Sequence, residues 1–94
     1  MDEDQELIAR HVEPDPNRPG PGDVRLAGSA VPVWAVIGHL AANGWRADDA
    51  AADYAIPGEE VAAAAAYYRR HTDAINARLA ANSGASAPVP AGAA

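Results

Sequence analysis

The stretch Pro57–Asn82, PGEEVAAAAAYYRRHTDAINARLAAN, constrains this chain more than any other. Pro57 suits a first helical turn, where its missing N–H would have had no partner anyway. Glu59 and Glu60 sit at the positive end of the helix dipole, and five consecutive alanines follow them. Arg69, Arg70 and Arg78 lie in the later half, where cations are favoured, and Asn82, Ser83 and Gly84 supply a stop. Val61, Ala65, Tyr68, Thr72, Ile75 and Leu79 recur at steps of four and three, an apolar stripe broken once at Thr72. The expectation is one continuous helix, roughly 38 Å long at about 1.5 Å per residue. A rod of that length overhangs a small domain, so its second half should project or meet a partner.

The rest of the chain must cover that helix with few large side chains. Of 94 residues 49% are apolar, but there is no Phe, and only two Trp and three Tyr. A thin core of Val, Ile, Leu, Trp and Tyr with alanine filling points to homodimerisation as a source of further stability. The absence of Cys excludes disulfides and thiolate metal sites. With no run of eighteen apolar residues, the expectation is a soluble cytoplasmic protein without a membrane segment.

The net charge of −6 is unevenly placed. Residues 1–23 hold seven acids against Arg10 and Arg18, a balance of −5, whereas residues 24–82 hold six acids against five arginines, a balance of −1. Nonspecific nucleic-acid binding needs a basic field, which this distribution does not provide.

In chain order, residues 1–6 are expected to be a flexible acidic start, with Leu7 and Ile8 anchoring a short turn or strand. Residues 14–23, rich in Pro and Gly, should form an extended loop. Val24–Leu26 and Ala30–Val33 are β-compatible and flank Gly28, so they are expected to form a small hairpin or two extended segments with a turn at Gly28, with Pro32 limiting the second piece to an edge or a strand end. Helical periodicity runs from Val33 to Asn43 and stops at Gly44, and a second short helix is expected from Asp48 to Tyr54. Residues 7–82 thus form a single, mainly α domain. It is a small tri-helical, helix-turn-helix-like arrangement with an N-terminal short β-hairpin and a long C-terminal helix. The low-complexity stretch 83–94 is expected to be a disordered tail.

Candidate chemistry is sparse. His11, His39 and His71 show no metal-ligand spacing, and no nucleophile and base fall together, so neither metal, cofactor nor enzymatic activity is expected. In a helix-turn-helix the second helix meets base edges with its N-terminal residues. Here those are Gly58, Glu59, Ala62, Ala63 and Ala66, none of which reads bases. Arg25 and Arg46 are candidate backbone contacts. Arg69, Arg70, His71 and Arg78 form a cationic patch, read either as a solvated face with Arg69 or Arg70 paired to Asp73, or as a docking surface for another protein or for the acidic arm of a second subunit. Val33, Trp34, Ile37, Leu40, Tyr54, Val61, Tyr68, Ile75 and Leu79 are the candidate core or dimer contacts.

Several of these features recur together in one known family. The ordered set Gly28-Ser29-Ala30-Val31-Pro32-Val33, Gly44, Asp53-Tyr54, Ala66-Tyr67-Tyr68, His71 and Ile75-Asn76 resembles the bacterial domain-of-unknown-function family number 433, of VapB-like antitoxin type. The resemblance implies a tri-helical fold with an N-terminal hairpin, often dimeric, and a PIN-like ribonuclease toxin as partner. Where the family pattern has Thr-Arg, this chain has Ser29-Ala30, so any contact made by that arginine is lost. The leading expectation is a non-catalytic antitoxin-like protein that binds a toxin ribonuclease, with operator DNA as a second ligand. Two alternatives stay open: a DNA-binding regulator without a toxin, and a homo-oligomerising adaptor.

Overall fold

The structure, a computed structural model, describes residues 2–86. Among them are five helices and one two-stranded antiparallel pair. The mainly helical expectation with a small β pair near the N-terminus holds; the partners in that pair, the first helix and the last helix differ from it.

The acidic start is not a frayed arm. It forms helix α1, Glu3–His11, capped by the Asp2 carboxylate, which accepts the Gln5 N–H at 2.8 Å. Glu3, Asp4 and Glu6 fill the first turn and Arg10 and His11 the last, so the charges run with the helix dipole. Leu7 and Ile8 rest half-buried on the core. Acidity read as solvation was in fact helix-starting chemistry.

The β pair also departs from the expected hairpin. Strand β1, Val12–Glu13, runs antiparallel to β2, Arg25–Leu26, with Val12 opposite Leu26 and Glu13 opposite Arg25. The Ala27 N–H extends this ladder to the His11 carbonyl at 2.7 Å. The expected neighbour on the other side survives only as an isolated Arg25–Pro32 bridge, flanked by Leu26 N–H to Val31 O and Val33 N–H to Val24 O. Pro32 has no N–H to give, and it stands next to the start of a helix, which stops a second strand from growing.

Helix α2 spans Val33–Asn43 and buries Val33, Val36, Ile37 and Leu40. It ends at Gly44 in the left-handed region, φ +79°, as the sequence predicts. Helix α3, Ala47–Tyr54, begins one residue before the expected start and buries Ala50.

The long helix is two helices. Helix α4, Gly58–Arg70, stops at His71, whose φ of −134° and ψ of 43° leave the helical region, and α5 begins afresh at Thr72 and runs to Ser86. Pro57 is the N-cap residue and not the first helical one. At the break the Thr72 hydroxyl donates to the Tyr68 carbonyl at 2.7 Å. A straight continuation would carry Ile75 along the rod and away from the core; the bend returns it, and Ile75 is fully buried. Burial of that one side chain removes apolar area worth about 25 cal/mol per Å², which competes with the few hydrogen bonds lost at a single helix break. Of the expected tail, residues 83–86 continue the α5 backbone, and residues 87–94 lie outside the described residues.

Helix α4 is the centre of the fold. It touches α1, α2, α3, α5 and both strands, and it buries Glu60, Val61, Ala63, Ala64, Ala66 and Tyr67. Alanine on several faces lets four helices approach one axis closely, which a Leu-rich helix would not permit.

Candidate interaction surface

The acidic start of α1 and the arginines at the end of α4, which the sequence set apart, come together at the α1–α4 contact. Arg69, at the end of α4, grips Asp4 bidentately, Nε to Oδ2 at 3.0 Å and Nη2 to Oδ1 at 2.8 Å. Its neighbour Arg70 pairs with Asp2 and donates to the Gln5 side-chain carbonyl at 3.3 Å. The Gln5 N–H, and after it the Arg70 guanidinium, hold the Asp2 carboxyl below the usual carboxylate range. The Arg69 hydrogen bond does the same for Asp4, and Asp4 in turn raises Arg69.

Neither reading of the cationic patch describes this. Asp73, the expected local partner, has no ion pair among the described residues, because the break at His71 takes it off the face that carries Arg69 and Arg70. The arm that neutralises the patch is acidic, as in the docking reading, but it belongs to the same chain. The segregation of −5 into residues 1–23 was the signal that could have found it.

The other candidate arginines are also closed. Arg78, half-buried on α5, pairs with Asp23 at 2.8 Å, and its guanidinium lies 4.4 Å above the Trp34 ring. Arg25 holds Glu13 across the β pair at 2.6 Å, and Arg46 holds Asp49 at 2.7 Å in the first turn of α3. Arg10 and Arg18 make no ion pair among the described residues.

Of the candidate core or dimer contacts, Val33, Ile37, Leu40, Val61 and Ile75 are buried within the chain, which leaves them no surface for a dimer. Trp34, Tyr54, Tyr68 and Leu79 pack half-buried at the rim of that core. Tyr54 donates to the Ala35 carbonyl at 3.2 Å and meets the edge of His39, which itself lies 2.8 Å from Asp53. His11 lies 3.6 Å from Glu59, and His71 stacks on Tyr67. No group of three His, Asp or Glu side chains among the described residues could hold a metal. No helix among them is long and apolar enough to cross a membrane.

One surface residue escaped the sequence reading. Trp45 is half exposed, the one large hydrophobic side chain so placed among the described residues. It sits in the turn after Gly44 with φ +65°, a conformation a bulky residue rarely adopts. Its N–H bonds to the Leu40 carbonyl at 2.7 Å, and Asn43 braces the turn through Arg46. The indole stacks on Tyr68 with centroids 5.9 Å apart, and the Tyr68 hydroxyl donates to Asn76 on α5. A short helical period assigns Trp45 to no face, so only the backbone of the turn reveals its exposure. Elsewhere, an open groove of about 410 Å³ lies between α1 and α4, lined by apolar Leu7, Ala62 and Ala65 and by charged Glu3, Glu6 and Arg10.

Comparison with known proteins supports the resemblance over the motifs from Gly28 to Tyr68 and stops short of His71 and Ile75-Asn76. Neither a curated protein nor a solved structure matches the chain. The family model described as "Protein of unknown function (DUF433)" matches residues 15–68, which takes in β2, α2, α3 and α4 as far as Tyr68. That stretch is more than half of the chain, and the protein belongs to the DUF433 family.

Proposed function

We propose that this protein is a non-catalytic, antitoxin-like binding protein whose partner is a PIN-like ribonuclease, held by protein–protein contact. The observation that carries the reading is the state of α4. In the helix-turn-helix reading of α2, α3 and α4, this helix would have to enter a DNA groove. Two of the side chains it would present, Ala63 and Ala66, are fully buried in the protein's own core. The five arginines singled out as candidate contacts, Arg25, Arg46, Arg69, Arg70 and Arg78, are each ion-paired within the chain.

The surface left to the solvent suits a basic protein. Glu3 and Glu6 on α1, Asp48 on α3 and Asp73 on α5 are exposed and without an ion pair among the described residues. A ribonuclease must line its substrate cleft with cations to hold phosphates, so an acidic protein competes naturally for that cleft. Trp45 supplies an aromatic anchor of the kind that dominates protein interfaces.

Co-expression with the product of the adjacent gene, followed by co-purification, tests this reading. A stable complex that suppresses a nuclease activity is the expected result. A neighbour that is no nuclease, with no complex formed, overturns it. Operator binding by the isolated protein is a separate matter: a salt-dependent mobility shift on its own promoter would support the regulator reading instead.

A further inference from the structure

The segment that links α1 and β1 to the rest of the chain is rich in proline and is fastened at its two ends. At its downstream end the Tyr67 hydroxyl donates to the Pro21 carbonyl at 2.7 Å, Arg78 holds Asp23, and Gly22 lies against the Ala74 carbonyl. Upstream, Glu13 is in β1. Between them, Pro14–Gly20 carries three prolines, and its hydrogen bonds among the described residues are local: Arg18 N–H to Asp15 O at 3.2 Å, Asn17 N–H to the Asp15 carboxylate at 2.8 Å, and Asp23 N–H to Gly20 O at 3.3 Å. Prolines favour the extended form, about 3.1 Å per residue, which gives these seven residues a reach of roughly 22 Å.

What this hinge carries lies on the outside of the fold, against α4 and β2. No residue of α1 is buried. Helix α1 meets α4 through the charged pairs at Arg69 and Arg70, whose side chains are exposed, through Gln5 on Arg70, His11 3.6 Å from Glu59, and half-buried Leu7 and Ile8. Strand β1 is tied to β2 by the two-residue ladder and the Glu13–Arg25 pair.

We infer that α1 and β1 exchange between two copies of this chain, with Pro14–Gly20 as the hinge, so that Asp2 and Asp4 of one copy engage Arg70 and Arg69 of the other. Every contact of the exchanged segment is one that the single chain already makes, so the closed two-fold dimer requires no new complementary surface. Chain connectivity gives the intramolecular form a high effective concentration. The exchanged dimer therefore grows with protein concentration and is captured by refolding at high concentration. The inference is independent of the ribonuclease partner.

Two full-length variants test it. One carries Asp2→Arg and Asp4→Arg, the other Arg69→Asp and Arg70→Asp. In each alone, like charges face each other both within a chain and between identical chains. In a 1:1 mixture only exchange between the two proteins restores opposite charges. The expected result by light scattering is monomer for each variant and a doubled mass for the mixture; a mixture that stays monomeric overturns the inference. If circular dichroism shows either variant unfolded, energy transfer decides. One copy then bears a donor on Glu3→Cys and the other an acceptor on Asp73→Cys, in a chain with no native cysteine. Transfer after co-refolding supports exchange, and its absence overturns it.

Discussion

Gly28 lies against Glu60 so closely that a methyl group on its Cα would stand 2.2 Å from the carboxylate oxygen Oε2. Glu60 is 5% exposed, and its Oε1 is buried with no hydrogen-bond partner among the described residues. It holds the third position of α4, from which a glutamate ordinarily reaches back to the N-cap N–H. The N-cap here is Pro57, which has none. The carboxylate is thus confined between its own helix and the 27–30 turn.

Gly28→Ala should therefore cost about 1–3 kcal/mol, the usual range for overpacking a confined site. In a Glu60→Ala background the same substitution should cost far less, because the clashing atom is gone. Urea unfolding of the four proteins in this cycle measures the coupling; equal costs in both backgrounds would remove Glu60 as the reason for Gly28.

Glu60→Met should stabilise the protein by about 1 kcal/mol, since an apolar side chain of similar length replaces a buried acceptor left without a donor. The midpoint of urea unfolding should rise with an unchanged slope. A fall would mean that the carboxylate is satisfied in solution.

Ala55 closes α3 in the left-handed region, φ 55°, and is exposed. Glycine takes that conformation without the Cβ penalty. Ala55→Gly should raise stability by about 0.5–1 kcal/mol, read as a small rise in the thermal midpoint. The same change at an exposed mid-helix alanine, Ala62, should lower it by a similar amount.

Tyr67 is buried, and burial pushes its hydroxyl above the ordinary value of 10.0. The folded state thus favours the neutral phenol that donates to Pro21. Its contribution is complete below pH 10.0 and is lost as the pH rises beyond that value. Tyr67→Phe should cost about 1 kcal/mol at neutral pH and should flatten the alkaline decline. A pH series of thermal midpoints for the two proteins checks both parts.

Asp2 and Asp4 titrate in the opposite sense. Both are held below their ordinary value of 3.8, so their contribution to the docking of α1 is present above that pH and is lost as the pH falls below it. The methyl resonances of Leu7 and Ile8 should shift below pH 3.8 as α1 loosens. Asp2→Asn with Asp4→Asn should show the loosened positions at neutral pH, with no further acid step from this contact.

The parts legible in the sequence were those governed by short-range chemistry. Val33–Asn43 with its stop at Gly44, and the helix that ends at Tyr54, follow from local periodicity and from glycine's access to positive φ. The buried set of Val33, Ile37, Leu40, Val61 and Ile75 was visible for the same reason. The order of the Gly28–Val33 and Ala66–Tyr68 motifs within the chain pointed to the family as well. Even α1 was written locally, in a capping aspartate and charges arranged along the dipole, although its acidity suggested a solvated arm.

Tertiary structure decided what local preference leaves degenerate. Residues 57–82 favour helix throughout, and no propensity marks His71 as the break; the gain from burying Ile75 beside α2 sets it there. The choice of Val12 over the nearer Ala30–Val33 segment as the ladder partner of Leu26 depends on where α1 delivers the chain. Likewise the partners of Arg69 and Arg70 lie 65 and 68 residues away, beyond any helical spacing rule. Sequence determined which segments could be helices and which charges needed partners. Only packing around α4 determined which of them meet, because burial and ion pairing over such separations depend on the whole chain's path and not on its local order.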